Sequence, residues 1–386
     1  MKAKRLKRKV RDSLIIALCC ILSFIGGFYL QRRKNFVNEY VEVAYDTIDT
    51  MEKTNASLVM VGDALMHMGV VNAYKTGNTY DYSGLFKYVG PIIKNYDLRY
   101  YNQETVLGGT SLKLSGYPQF NSPQEVGESF LKQGFNLISL ATNHTMDNYG
   151  RTGGKTLNNA NTFWKKYKDE VIAAGSYLSQ EDRDEIIIRE VNGIKYAFLS
   201  YTEQTNGLPV PSGKSYLCNV YSKEKVKADV LKYRDKVDVI MVAMHWGSEY
   251  TNTPTSSEKE KANYLASLGV DIVIGSHPHV IQPMTYIGNT LVIYSLGNFV
   301  SSQSGYNKLT GLMASCNIVK TIYHGKTTIS IEDPTAEFIY TNKNNKFVVY
   351  PYSELNNNIL SGYKTYYDKF KKIVTSMSDK IKVKEL

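Results

Sequence analysis

Strand patterns that alternate with helical ones, interrupted by several hairpin signals, predict an α/β domain of layered build, with a mixed sheet or a pair of sheets. Two observations carry this beyond the bare alternation. Short, nearly uninterrupted apolar runs (SLVMV, residues 57–61; NLISLA, 136–141; VDVIMVAM, 237–244) have the pattern of strands buried on both faces. Five of the six histidines lie in short polar motifs placed where such a run gives way to a loop: GDALMH (62–67), ATNH (141–144), MHWGSEY (244–250) and GSHPH (275–279). A fifth motif, NQET (102–105), has the same setting and offers a carboxylate. In open α/β sheets the strand ends are where ligands bind, so this placement points to function.

Taken in order, residues 13–30 form an apolar run without a charged side chain, about 27 Å long as a helix and so about one hydrocarbon core. Seven basic residues precede it and three follow, which predicts a cytoplasmic N-terminus and an extracellular main domain. The closing QRRKN suits an uncleaved, single-pass cell-membrane anchor better than a signal peptide, since no small-x-small cleavage site follows. Cys19 and Cys20 suit a lipoprotein poorly, because large Leu18 precedes Cys19 and both lie mid-span. The expected organisation is a basic tail (1–12), an anchor (13–30), a polar stalk (31–55), the α/β domain (56–352) and a helical extension (353–386).

The first strand is read at 57–61. A helical pattern over 83–95 is broken at Gly90-Pro91, and Ser122-Pro123 starts a helix that runs to Lys132 and stops at Gly134. Asn192-Gly193 and Gly288-Asn289 mark hairpins. Helices at 222–234 and 256–268 each precede a strand, residues 311–350 read as mainly β, and an amphipathic helix over 366–381 ends the chain.

Charge excludes one class of function. The formal charge of +10 resides almost wholly in residues 1–34, leaving the remainder close to neutral. The basic excess is therefore a topology signal, and no nucleic acid is expected as a partner. The 31 tyrosines follow no stripe and suit surfaces and sheet faces better than carbohydrate stacking. Outside the anchor only Cys218 and Cys316 remain, as a pair or as buried singletons; neither belongs to a CxxC motif, so thiolate zinc sites are excluded.

What is left is a nitrogen and oxygen donor set. A two-metal centre needs a bridging carboxylate, neutral imidazoles and an amide or further carboxylates. Asp63 is the natural bridge, with Glu104, Asn143, His245, His277 and His279 around it, and Zn, Mn or Fe suit such a set. His144 is placed to donate a proton to a leaving oxygen, oriented by Asp147. His67 is a further candidate ligand.

The series GDALMH, NQET, ATNHTMDNYG, HWGSEY, GSHPHVIQP and YSLGNF resembles, in order and over residues 57–300, the capsule synthesis protein CapA family, also called the poly-γ-glutamate synthesis PgsA type. The resemblance implies a calcineurin-like metallophosphoesterase fold (αββα), a β-sandwich core flanked by helices. It also implies a membrane-anchored protein that acts outside the cell in making or exporting capsular poly-γ-glutamate, with other membrane components of that complex as partners. The metallophosphoesterase pattern places its first Asp at Asp63, its Asn-His at Asn143 and His144, its lone strand-end His at His245, and its His-x-His at His277 and His279. Two departures stand out: His67 lies four residues after Asp63 rather than two, and the second carboxylate element reads Asn102-Gln103-Glu104. Trp246, Glu249, Ser276 and Asn298 fall in the family's other motifs and are expected as pocket wall and substrate contacts. Three functional readings follow: a capsule-polymer protein with a hydrolase-like site acting on an anionic polymer, an exported phosphoesterase acting on phosphate esters, and a polymer-binding scaffold without catalysis.

Overall fold

A computed structural model describes residues 2–45 and 51–386. They divide into an N-terminal body and an α/β domain. The first contains a single 44-residue helix, Lys2–Tyr45, and over Ala3–Val37 it is long and apolar enough to cross a membrane. The helix therefore continues through the first part of the polar stretch read as a stalk, whose residues 46–50 lie outside the described residues.

The domain is built on two large sheets, as the strand–helix alternation predicts. One runs, edge to edge, Val348–Pro351, Lys326–Asn342, Thr310–Tyr323, Glu52–Ala64, Leu98–Asn102, Leu137–Ser139 and Ile172–Ala174, with Asn298–Val300 paired alongside Glu52–Ala64. The other runs Met284–Ile287, Thr290–Ile293, Ile272–Ser276, Val239–His245, Ile194–Thr202 and Arg189–Val191. Its four central strands are parallel and each edge is an antiparallel hairpin. The Asn192-Gly193 turn takes left-handed backbone at both residues, as a tight hairpin requires.

Burial follows the two-residue period of a strand. Leu58 and Met60 of the first sheet join Phe198, Met241, Ile274 and Ile293 of the second in one cluster, which is the core between the sheets. Val59, Val61, Tyr101 and Ile138 point the other way and pack with Phe130, Phe163 and Trp164, from the helices Glu125–Lys132 and Lys155–Lys165. Val242 and Val273 likewise pack with Val226, Val230, Ala262 and Leu265, from Lys223–Tyr233 and Ser256–Ser267. The layers are helix, sheet, sheet, helix. Both helices of the second outer layer start on a hydroxyl cap: Ser222 accepts from the Lys225 amide, and Thr255 forms a capping box with Glu258.

Several elements depart from the sequence reading. The pattern over 83–95 becomes two short pieces, Ser83–Phe86 and Gly90–Ile93, with the proline in the first turn of the second. The last helix is Tyr363–Val374, and the chain then pairs as a strand at Lys382–Val383 instead of remaining helical to 381. Cys218 and Cys316 are free and buried, in separate clusters.

Candidate metal centre

The parallel strands bring their C-terminal ends to one place. Asp63 stands in register with both Asn298 and Asn102, Asn102 with Ser139, and His245 with both Ser276 and Thr202. Two glycines allow the backbones to approach so closely. A Cβ on Gly62 would lie 1.8 Å from the Gly297 carbonyl oxygen, and one on Gly275 would lie 1.9 Å from that of Tyr294. Beyond Ser276 the chain turns through His277 (φ 96°) and His279 (φ 58°), and Tyr250 is also left-handed at φ 64°. Such backbone costs about 1–3 kcal/mol per non-glycine residue and clusters where side chains must be aimed.

Two groups of donor atoms result, each with its atoms within 4.8 Å of one another: Glu104, His245 and His277, and Asp63, Glu104 and His279. All five residues are buried. Glu104 is common to both, with Oε1 3.8 Å from His245 Nε2 and 3.6 Å from His279 Nε2. Glu104 is thus the carboxylate common to the two candidate groups, whereas Asp63, expected from sequence as the bridge, belongs to one of them. Asp63 Oδ2 lies 3.3 Å from His279 Nδ1 and its Oδ1 accepts from Asn102 Nδ2 at 2.8 Å. Asn143 is part of the cluster through Oδ1, 2.9 Å from His245 Nε2.

Orphaned polar atoms test whether a cation fits. Neither oxygen of Glu104 has a hydrogen-bond partner, and His277 Nδ1 and Asn102 Oδ1 have none either, although all are buried. Buried unpaired acceptors of this kind are costly on their own and rare in folded proteins. A divalent cation satisfies them, and the donor set of carboxylate, imidazole and amide suits Zn, Mn or Fe.

The protonation of the site follows from the same crowding. Burial pushes His277 down to about 4, and pushes His245 well below the usual imidazole value with help from the neighbouring imidazoles. Both are therefore neutral, the state a ligand requires. Burial also acts to lower His279, but the Glu104 and Asp63 carboxylates outweigh it and raise the group to about 9. Burial raises the Glu104 carboxyl, with His279 opposing.

The other residues singled out by sequence sort into distinct places. His144 is outside both donor groups; its Nδ1 lies 2.7 Å from Asp147 Oδ2, which leaves Nε2 as the ring's remaining polar atom. Asp147 Oδ2 also accepts from the Phe120 amide at 2.6 Å, and the Phe120 ring meets His144 edge-on at 4.7 Å. His67 is likewise absent from the donor groups: it precedes the helix Met68–Ala73, its Nδ1 lies 3.2 Å from the Leu65 carbonyl, and it packs edge-on against Phe120. Trp246 does not line the site. It is buried against Tyr294 in the outer core of the second sheet, its Nε1 donating to the Tyr294 carbonyl at 2.9 Å. Ser276 and Asn298 are buried against two of the donor imidazoles: Ser276 Oγ lies 3.0 Å from His245 Nδ1, and Asn298 Oδ1 lies 3.0 Å from His279 Nδ1. Glu249 is exposed. Asn102, not singled out from sequence as a site residue, places its amide between Asp63 and His245, 3.3 Å from His245 Nδ1.

Residues 57–303 match the family model described as bacterial capsule synthesis protein PGA_cap. The chain is 30% identical over 312 residues to the capsule biosynthesis protein CapA of Bacillus anthracis, covering 78% of this chain and 71% of that protein. It is 32% identical over 176 residues to the PGA biosynthesis protein CapA of Bacillus subtilis strain 168, a match spanning 44% of this chain and 43% of the relative. Among solved structures, the calcineurin-like phosphoesterase YfkN of Bacillus subtilis aligns with a TM-score of 0.45 at 12% identity, over 83% of this chain and 99% of that one. A 5′-nucleotidase from Candida albicans aligns with a TM-score of 0.39, also at 12% identity, over 83% of this chain and 58% of that one.

Proposed function

The chain belongs to the bacterial capsule synthesis protein PGA_cap family, and from that premise we propose that it is a single-pass membrane protein whose extracellular domain uses a metal-dependent, hydrolase-like site in making or exporting a capsular polymer. Poly-γ-glutamate or a related anionic polymer is the proposed substrate, and other membrane components of the synthesis complex are the proposed partners. The observation that carries the reading is the pair of donor groups joined at Glu104, with both of its oxygens buried and unbonded. The apolar run 13–30 within the helix Ala3–Val37, preceded by seven basic residues and followed by three, supports the anchor and its orientation.

Asp63, Glu104, His245, His277 and His279 would hold the metal, with the amides of Asn102 and Asn143 beside them. Bound there, a divalent cation supplies Lewis acidity toward a substrate oxygen and lowers the pKa of water. The chain's own groups do the rest. Asn298 and Ser276 fix the imidazole planes of His279 and His245. By accepting the Nδ1–H of His144, Asp147 orients the ring and would stabilise its imidazolium form, in which Nε2–H is the proton that can pass to a leaving oxygen, leaving the neutral Nδ1–H ring.

Metal analysis of the full-length chain in detergent, followed by turnover assays on phosphodiesters and on γ-glutamyl peptides, tests the proposal. Bound metal with cleavage of γ-glutamyl peptides, lost in Asp63→Ala, is the expected outcome. Metal with phosphodiester cleavage alone would replace the substrate class, and absence of metal would remove the hydrolase-like site.

A further inference from the structure

The mouth of the centre has a chemistry of its own, set by a tyrosine and a lysine that nothing above uses. Tyr250 follows the His245 strand in left-handed backbone, and its amide donates to the Pro278 carbonyl at 2.8 Å, so it is tied to the loop that carries His277 and His279. Its ring lies 6.0 Å from the His279 ring, yet the side chain is 52% exposed. A bulky aromatic in that backbone region is strained, and here the strain holds an exposed ring against a buried ligand.

Lys308 stands over the same ring, its Nζ 4.7 Å from the centroid. Its backbone is anchored to the centre: Asn298, whose Oδ1 meets His279 Nδ1, donates from Nδ2 to the Lys308 carbonyl at 2.8 Å. The Lys308 side chain is partly buried, and among the described residues its ammonium has no carboxylate within ion-pair distance. A half-buried lysine packs its aliphatic stem and keeps its ammonium accessible. This one stands on an aromatic face, next to the ligands, with its donors open.

We propose that Lys308 and Tyr250 form the substrate-recognising lip of the centre: the ammonium receives an oxyanion of the substrate, a carboxylate or a phosphate, and the ring supports the chain beside it. The proposal rests on the functional reading above and gives its site a substrate polarity. Glu249, the exposed residue before Tyr250 in the chain, carries the opposite charge. It disfavours an anion on its own side and leaves Lys308 as the receiving group.

The test is calorimetric binding to the full-length chain in detergent, loaded with Mn, using a γ-linked glutamate trimer and inorganic phosphate as separate probes. Lys308→Met keeps the stem and removes the charge; it should weaken binding about tenfold or more, as expected for loss of a charge-assisted contact. Lys308→Arg should recover most of it, and Glu249→Gln should bind at least as tightly as the parent. Metal content is measured on every variant. Loss with the trimer alone assigns the anion to a carboxylate, and loss with phosphate alone assigns it to a phosphate. Binding of both probes within twofold of the parent in Lys308→Met overturns the lip while leaving the metal reading intact. A parent chain that holds metal but binds neither probe does the same, and a parent chain without metal overturns both.

Discussion

Replacing Glu104 by glutamine removes the charge shared by the two donor groups while keeping the side chain's size, and the structure assigns opposite signs to its effect with and without metal. In the metal-free protein both Glu104 oxygens are buried without a hydrogen bond, and Asp63 adds a second carboxylate to the same cavity. Relieving a buried unsatisfied charge is worth about 1–3 kcal/mol, and the attraction to His279 lost in exchange is a buried pair whose gain is largely offset by desolvation. The variant should therefore melt about 2–6 °C higher than the parent in chelator, at roughly 2 °C per kcal/mol for a domain of this size. In metal the order reverses. A ligand at 100 times its dissociation constant stabilises by about 2.7 kcal/mol per site, so losing both sites lowers the melting temperature by about 10 °C relative to the loaded parent. Thermal melts of the full-length chain in detergent, with chelator and with Mn, together with metal counts per chain, measure both. An unchanged metal-induced shift in Glu104→Gln, or a lower melting temperature in chelator, would refute the assignment of Glu104 as the shared carboxylate.

Asp147→Asn alters the partner that fixes the His144 tautomer, and it should lower kcat by about 10²–10⁴-fold with KM little changed, whichever substrate class is turned over; an equal rise in KM would show that His144 binds substrate rather than transferring a proton. The metal-free protein should have its stability maximum near pH 6.5. His67 and His277 are held near 4 and His245 is also depressed, so stability is lost as pH falls from 6.5 toward 4, while His279 is raised to about 9, so its contribution is lost as pH rises through that value. Denaturant titrations in chelator across this range check the maximum, and His67→Gln should reduce the acid-side slope by about one proton without touching the alkaline side.

Much of the architecture was readable because both faces of the central strands are covered. Runs such as LVMV (58–61) carry an apolar residue at every position, and a strand between two packed layers buries both of its faces. The helix Lys155–Lys165 escaped notice although Leu157, Ala160, Phe163 and Trp164 recur at helical spacing and are buried; its start is two left-handed glycines, with no side-chain cap to announce it. The last helix was drawn too long for the opposite reason. Its amphipathic pattern continues past Val374, but Lys382–Val383 gains a sheet partner through Thr335 and Ala336, and long-range pairing of that sort leaves no local trace.

The site divides along the same line between local and non-local information. Histidines at strand ends announced a convergence, and the five donor residues meet. Strand periodicity alone bears on one of the remaining assignments. Consecutive residues on a strand face opposite sides, so once His245 points into the centre, Trp246 must point into the helix layer, where it packs with Tyr294. Asn102 is the last residue of its own strand, in register with Asp63, and its amide reaches Asp63 and His245. No periodicity could choose between Asp63 and Glu104 as the shared carboxylate. Asp63 lies on a strand whose path is fixed by Gly62 against Gly297, whereas Glu104 lies past the end of its own strand, and the longer side chain is free to reach both imidazole groups. Which carboxylate reaches both candidate donor groups is set by where the two strands stop relative to each other, which is a property of the sheet and not of either motif.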